Sequence, residues 1–133
     1  MRVVVDANIL ASGIFWGGQP GRILDLWAHG KLEFLVSLPI LSEYSRILLD
    51  LGGREGRSAL AQHWVAFIGN HAVVLDVHST VRQCRDPDDD KYLQCALDGA
   101  AECIVSGDRD LLALEKCATI PIMTPRQFLN WLT

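Results

Sequence analysis

The sequence predicts an α/β fold in which a parallel sheet is connected by crossover helices. Strand and helix patterns alternate along the whole chain, which is typical of that class. Two short runs, residues 3–5 and 103–105, are apolar at every position, as strands buried on both faces are. An aspartate follows each run, Asp6 directly and Asp108 shortly after. Because ligands of open α/β sheets bind outside the carboxyl ends of the strands, these aspartates are the first candidates for a functional site.

Apolar patterning and turn residues place strands and helices in alternation. The strands are predicted at about residues 2–5, 32–36, 72–77, 103–105 and 119–122. The helices are predicted at about residues 8–15, 23–28, 39–51, 60–68, 86–101, 110–115 and 125–131. Ser37 is expected to cap the third helix and Gly52 with Gly53 to end it. Loops are expected at residues 16–21, from glycine and proline, and at the polar residues 54–57.

Length and composition indicate one domain, residues 1–133. The chain is long enough to bury a core without disulfides, and half of its residues are apolar, which argues against disorder. No apolar run reaches the roughly 18 residues that a membrane-spanning helix needs. The first residues lack the long apolar segment and the cleavage site of a signal peptide, so a cytoplasmic protein without membrane contact is expected.

The cysteines and the net charge restrict the possible partners only weakly. The four cysteines form no CxxC pair and no close pairing with histidine, so zinc is not expected and the thiols should be reduced. The formal net charge of −4 at first sight disfavours nucleic acid. Leaving out the five acids that are candidates for a metal site turns this total into +1. Charge alone therefore neither supports nor excludes RNA.

Asp6 and Glu43 each have two explanations. Asp6 suits the N-cap of the first helix, and Asn8 is placed to orient its carboxylate by a hydrogen bond. Glu43 falls on the apolar stripe of the third helix, where a solvated glutamate is not expected. It either extends outward and pairs with Arg46 or Arg22, or it faces a functional site.

Aspartates also crowd two later turns. Four of the first five residues of the predicted fifth helix, residues 86–90, are aspartates, although capping needs only one or two and like charges repel. Periodicity places both Asp89 and Asp90 towards the buried side and does not choose between them. After the fourth strand, Asp108 and Asp110 either cap the next helix or serve the same site, and Ser106 offers a hydroxyl beside them.

Convergence at one crevice is the economical account of these acids. They follow two strands, lie on a buried helix stripe and begin another helix, and the carboxyl edge of a parallel sheet brings such positions together. Oxygen-only ligands suit hard cations, Mg²⁺ or Mn²⁺. Two such ions would activate water and bind both the attacking and the leaving oxygen of a phosphodiester.

In this order and spacing the residues resemble those of the PIN-domain nucleases. The resemblance rests on Asp6 with Asn8, then Glu43, then the acidic segment DDDKYLQCAL, then SGDRDLL. It covers almost the whole chain and is strongest to the VapC-like branch, the toxin components of toxin–antitoxin pairs. The motifs are short individually, but their order and spacing make the set specific.

The resemblance implies a three-layer α/β/α sandwich around a central parallel sheet of five strands, and a Mg²⁺- or Mn²⁺-dependent endoribonuclease. It also implies an RNA substrate, a cognate antitoxin and a homodimer. Asp90 is preferred over Asp89 because it keeps the family's spacing to the SGD motif. The site residues carried over by motif position are the catalytic and metal-binding acids Asp6, Glu43, Asp90 and Asp108, the further metal ligand Asp110, and the supporting residues Asn8 and Ser106.

Three other functions are compatible with part of the pattern. A phosphatase of the haloacid-dehalogenase type needs a second aspartate two residues after the first, where this chain has Asn8. A receiver-like signalling domain needs an acceptor after a middle strand, and Asp76, its one candidate, falls within a predicted strand end. A catalytically inactive PIN-like module that binds RNA or protein is the remaining alternative, and the complete acid set argues against it.

Overall fold

The structure, a computed structural model that describes residues 1–133, is built around a six-stranded sheet. The strands are β1 (Arg2–Val5), β2 (Glu33–Val36), β3 (Val73–Val74), β4 (Cys103–Val105), β5 (Lys116–Cys117) and β6 (Ile120–Met123). Their spatial order is β3-β2-β1-β4-β6-β5, and all neighbours are parallel except β5 and β6. The predicted parallel sheet of five strands is confirmed, and β5 adds a short antiparallel edge.

Helices flank the sheet and form the predicted three-layer α/β/α arrangement. They are α1 (Ala7–Trp16), α2 (Gly18–Ala28), α3 (Leu38–Arg54), α4 (Ser58–His71), α5 (Asp90–Asp98), α6 (Arg109–Ala113) and α7 (Pro125–Leu132). Helix α5 packs against β1, β4 and β2, whereas α6 and α7 pack against β6. Helix α1 packs against α2 and α3, and α3 packs against α4. No helix is long and apolar enough to cross a membrane.

The two central strands carry the most completely buried side chains. Val3, Val4, Ile104 and Val105 have no exposed surface, as expected for strands covered on both faces. Full burial of such a side chain stabilises the fold by roughly 1.5–3 kcal/mol. Strands β1 and β4 are parallel and pair Val5 with Val105. The residues that follow these two strands therefore emerge side by side at one edge of the sheet.

Two predicted breaks between elements are wrong. The loop expected at residues 16–21 shrinks to Gly17, whose φ of 77° suits glycine. Helix α2 begins directly after it and accommodates Pro20 in its first turn, where the backbone N–H has no intrahelical partner. Gly52 does not end α3, which continues to Arg54. A Cβ atom at Gly52 would lie only 2.6 Å from the Cβ of Ala61. Glycine at this position lets α3 and α4 approach closely.

The region before α5 also differs from the prediction. The third strand ends at Val74, since only Val73 and Val74 pair with β2. Residues 75–86 then run without regular secondary structure. The helix expected from residue 86 begins as a 3₁₀ turn, Pro87–Asp89, and becomes α-helical at Asp90. This tighter turn changes the direction in which neighbouring aspartates point.

Candidate active site

The candidate site lies at the carboxyl ends of β1 and β4. Asp6 follows β1 directly, and its backbone N–H donates to the carbonyl of Val105 at 3.0 Å. Ser106 is the next residue after Val105, so the parallel register places Asp6 beside it. Asp108 lies two residues further along the same turn. The sheet therefore brings together the residues that follow its two central strands.

The carboxylate of Asp6 is buried and held by three donors. Its Oδ1 accepts a hydrogen bond from the N–H of Ile9 at 2.8 Å, which makes Asp6 the N-cap of α1. Its Oδ2 accepts from the hydroxyl of Ser106 and from the N–H of Gly107, the latter at 3.2 Å. Asp6 is thus a helix cap and a site residue at once. Asn8 was expected to orient this carboxylate, but its side chain is exposed. Ile9, Ser106 and Gly107 orient the carboxylate instead.

Two further acids meet beside Asp6. Asp108 caps α6 by accepting from the N–H of Asp110 at 3.0 Å, and its own N–H donates to Ser106 Oγ at 3.0 Å. The carboxyl group of Asp89 lies near that of Asp108. Burial, and after it the hydrogen bond and charge of Asp108, raises the pKa of Asp89 to about 6. Burial also raises the pKa of Asp6, and the charge of Asp108 adds to this effect.

We refer to Asp6, Asp89, Asp108 and Ser106 as the acid pocket. Its members are linked in a chain. Ser106 donates to Asp6 and accepts from the N–H of Asp108, and Asp108 lies near Asp89. Asp89 is the member that motif spacing had passed over. Its place in the pocket follows from the 3₁₀ turn in which it lies.

Asp90, preferred from motif spacing, lies outside these contacts. Its side chain is buried, but Oδ1 accepts from the backbone N–H groups of Cys84 at 2.8 Å and Gln83 at 3.1 Å. Burial acts to raise the pKa of Asp90, yet these hydrogen bonds outweigh it and the pKa is lowered. The contacts therefore favour Asp89 over Asp90 as the acid that accompanies Asp108.

Glu43 points inward, but its partner is not one of the expected arginines. Its side chain is only 15% exposed, and Oε2 lies 2.8 Å from Nζ of Lys91. Its Oε1 accepts from the hydroxyl of Tyr92. Lys91 also contacts Asp88 Oδ2 at 3.0 Å. Burial acts to lower the pKa of Lys91, but the hydrogen bonds to Glu43 and Asp88 raise it overall, so the ammonium group stays charged.

Two buried tyrosines fix the backbone on either side of Asp6. Tyr44 of α3 donates to the carbonyl of Val5, and the hydroxyl of Tyr92 on α5 accepts from the N–H of Ala7 at 3.1 Å. Burial raises the pKa of both phenols, so they remain protonated. The apolar stripes of the two helices place these rings in the core, but no sequence pattern indicates their hydrogen bonds.

The oxygen donors of the acid pocket fit a hard cation, although the side chains are not yet arranged in a complete coordination sphere. Every donor is an oxygen, which Mg²⁺ and Mn²⁺ prefer. Burial, and after it the neighbouring Asp108, raises the pKa values of Asp6 and Asp89, and a bound cation would offset both effects. No three Asp, Glu, His or Cys side chains are arranged to hold an ion. Asp110, expected as a further ligand, is exposed and contacts Asp108 through its backbone N–H.

Comparison with known proteins agrees with this architecture. Residues 2–110 match the family model of the PIN domain. The uncharacterized protein MJ1680 of Methanocaldococcus jannaschii is 29% identical over 144 aligned positions, which cover 98% of this chain and 90% of that protein. The structure of VapBC2 from Rickettsia felis, bound to a DNA fragment from their promoter, matches with a TM-score of 0.60 and 11% identity, over 92% of this chain and 97% of that one. At this identity the structural likeness concerns the fold alone.

Proposed function

This chain belongs to the PIN domain family of nucleases, and we propose that it is a metal-dependent endoribonuclease that hydrolyses phosphodiester bonds of RNA. The observation that carries the proposal is the acid pocket, in which Asp6, Asp89 and Asp108 crowd at the carboxyl edge of the sheet. Burying negative charge without a counter-charge is unfavourable. A bound cation would remove that penalty, and it would make the pocket a phosphodiester-cleaving site.

Asp6, Asp89 and Asp108 are the proposed ligands of Mg²⁺ or Mn²⁺. Such an ion supplies an activated water and polarises the scissile phosphate. The protein holds the ligand oxygens in place through Ser106, which donates to Asp6 and accepts from the N–H of Asp108. Ligands fixed by outer hydrogen bonds lose little freedom when an ion binds.

Glu43 enters the proposal as the partner of Lys91 and not as a first ligand. Its two oxygens already contact Lys91 and Tyr92. The Lys91 ammonium group is thereby held charged between Glu43 and Asp88. Glu43 therefore sets the position of a mostly buried cation beside the acid pocket. Asp90 and Asp110 are likewise not proposed as ligands.

The proposed hydrolysis proceeds without a covalent enzyme intermediate. The protein offers no activated thiol, since burial raises the pKa values of Cys84, Cys95 and Cys103 to about 12 and also raises that of Cys117. A cysteine with so high a pKa is almost fully protonated at neutral pH and is a poor nucleophile. Water is therefore the proposed nucleophile.

We also propose that the chain is the toxin of a toxin–antitoxin pair, which binds a cognate antitoxin and forms a homodimer. The sequence resemblance to the VapC-like branch supports this, and so does the likeness in fold to VapBC2 of Rickettsia felis. Trp16 is 63% exposed and Trp131 is 48% exposed, so both offer apolar surface to a partner. The cytoplasmic location stays a prediction.

A nuclease assay tests the proposed chemistry. The purified protein should cleave single-stranded RNA with Mn²⁺ and should lose that activity in EDTA. Asp6→Asn should lower the rate by at least about a hundredfold, whereas Asp110→Asn, the matched change at an exposed aspartate, should leave it close to wild type. Equal cleavage of single-stranded DNA would make the chain a nuclease without preference for RNA. RNA binding without any cleavage would instead support the inactive binding module.

A further inference from the structure

Residues 75–86 form a long segment without regular secondary structure, and one face of α5 holds it. Long segments of this kind within compact folds are commonly functional. Asp90, Gln94 and Asp98 follow one another at intervals of four residues, which places them on one side of the helix. All three side chains contact backbone groups of the segment. We refer to these three residues as the α5 clamp.

The contacts of the α5 clamp run along the segment in order. Asp98 accepts from the N–H groups of His78 and Ser79, the latter at 3.0 Å. Gln94 Nε2 donates to the carbonyl of Val81 at 3.3 Å. Asp90 accepts from the N–H groups of Gln83 at 3.1 Å and Cys84 at 2.8 Å. Each clamp residue therefore satisfies backbone groups that no strand or helix pairs.

The clamped segment forms one wall of a cleft of about 540 Å³. The apolar part of its lining comes from Pro39, Val81 and Pro87. Its charged part comes from the cations Arg82 and Lys91 and from Asp88 and Asp90, of which Asp88 pairs with Lys91 and Asp90 accepts backbone N–H groups. A volume of this size accommodates a small-molecule ligand, and so one nucleotide. Asp88 and Asp90 line the cleft and are the sequence neighbours of Asp89, so the cleft adjoins the acid pocket.

Arg82 is the cation of this cleft that is free to meet a ligand. Its side chain is exposed and forms no ion pair, whereas Lys91 is already bound by Glu43 and Asp88. A guanidinium group matches the geometry of a phosphate. The apolar surfaces of the prolines and the valine in this cleft suit the ribose and base of the same nucleotide. The lining thus has the chemistry of a subsite for one RNA unit.

We propose that this cleft binds a nucleotide of the RNA that flanks the scissile bond, with Arg82 on its phosphate and Asp90 as the positioning residue that holds Arg82 there. This inference rests on the proposed ribonuclease function and adds a substrate subsite to it. Asp90 acts through the backbone of the clamped segment and touches neither the ion nor the reacting atoms.

Binding of a fluorescein-labelled single-stranded RNA, measured by anisotropy in EDTA, tests the subsite apart from cleavage. Arg82→Ala should weaken binding about tenfold and reduce the slope of log K against log salt by about 0.7. Arg54→Ala is the matched control, because Arg54 is an exposed arginine at the far end of α3. It should change neither quantity.

Two substitutions at Asp90 separate positioning from metal binding. Asp90→Asn keeps an oxygen that accepts the backbone N–H groups, so RNA binding and Mn²⁺-dependent cleavage should stay close to wild type. Asp90→Ala should release the segment, which raises KM more than it lowers kcat and speeds trypsin cleavage after Arg82 and Arg85. Loss of kcat in Asp90→Asn, to the level of Asp6→Asn, would overturn the assignment of Asp90.

The failure of this inference differs from the failure of the proposed function. If the wild-type protein cleaves RNA with Mn²⁺ but Arg82→Ala binds as well as Arg54→Ala does, the subsite is refuted and the ribonuclease stands. If the wild-type protein neither binds nor cleaves RNA, both are refuted.

Discussion

The acid pocket and the α5 clamp shift the pKa values of two neighbouring aspartates in opposite directions. Asp89 lies in the pocket, where burial and the charge of Asp108 raise its pKa to about 6. Asp90 is the next residue and lies in the clamp, where backbone N–H groups lower its pKa in spite of burial. The N–H groups of Ser79 and His78 lower the pKa of Asp98, at the other end of the clamp, in the same way.

The difference shows how the same side chain serves function in one place and architecture in the other. A carboxylate that accepts backbone hydrogen bonds has its charge compensated within the fold. Asp6 of the acid pocket also accepts backbone hydrogen bonds, but burial outweighs them and raises its pKa. Burial and the neighbouring Asp108 raise the pKa of Asp89, and carboxylates perturbed in this way are a common mark of a functional site. We therefore assign metal binding to the carboxylates that meet around Ser106, and positioning to the carboxylates of α5 that hold the backbone of residues 78–84.

The largest predicted contrast lies in cleavage. Asp108→Asn, in the pocket, should reduce RNA cleavage by at least about a hundredfold. Asp98→Asn, in the clamp, should leave the rate close to wild type, since an amide oxygen still accepts from the backbone. Initial rates with Mn²⁺ measure both. Similar losses in the two variants would remove the distinction between the regions.

Metal binding should stabilise the fold through the pocket. A cation at a hundred times its Kd adds about 2.7 kcal/mol, which for a chain of this size raises Tm by roughly 10 °C. Asp6→Asn should abolish most of the shift, whereas Asp90→Asn should keep it. The shift should shrink as the pH falls through about 6, because Asp89 then takes up a proton that competes with the ion. An equal shift in wild type and Asp6→Asn would place the ion elsewhere.

Smaller effects are expected at Glu43. Glu43→Gln removes the charge that faces a mostly buried Lys91, so the free energy of unfolding should fall by about 1–3 kcal/mol. The control is Asp50→Asn, which breaks the exposed pair of Asp50 with Arg54 and should lower stability by less than about 0.5 kcal/mol. Urea unfolding measures both variants. Equal losses would show that the contact of Glu43 with Lys91 contributes no more than a surface pair.

Patterns in the sequence were sufficient to predict the fold class because they report which residues are buried. Residues 103–105 are apolar throughout, and the strand lies in the centre of the sheet. The register of β4 with β1 then places Asp6 beside Ser106, as the rule for the carboxyl ends of strands suggests. The inward orientation of Glu43 was predicted in the same way, since a charged side chain on an apolar helix stripe needs a polar partner, here Lys91 and Tyr92.

The remaining site contacts could not be read from local patterns. Regular helical periodicity does not apply before α5, where the 3₁₀ turn decides which of Asp89 and Asp90 meets Asp108. Lys91 lies 48 residues from Glu43 in sequence, and no spacing rule links them. The spacing of Asp90, Gln94 and Asp98 was visible in the sequence, but its purpose depends on a segment that has no periodic pattern of its own.

Carboxyl-carbon NMR titration of Asp89 and Asp90 tests the central claim most directly. The signals are assigned by comparing wild type with Asp89→Asn and Asp90→Asn. Asp89 should titrate near 6 and Asp90 below its ordinary value of 3.8, and Mg²⁺ should lower the midpoint of Asp89 while leaving that of Asp90 unchanged. A midpoint that moves with Mg²⁺ for Asp90, but not for Asp89, would contradict the assignment of chemistry to the acid pocket and positioning to the α5 clamp.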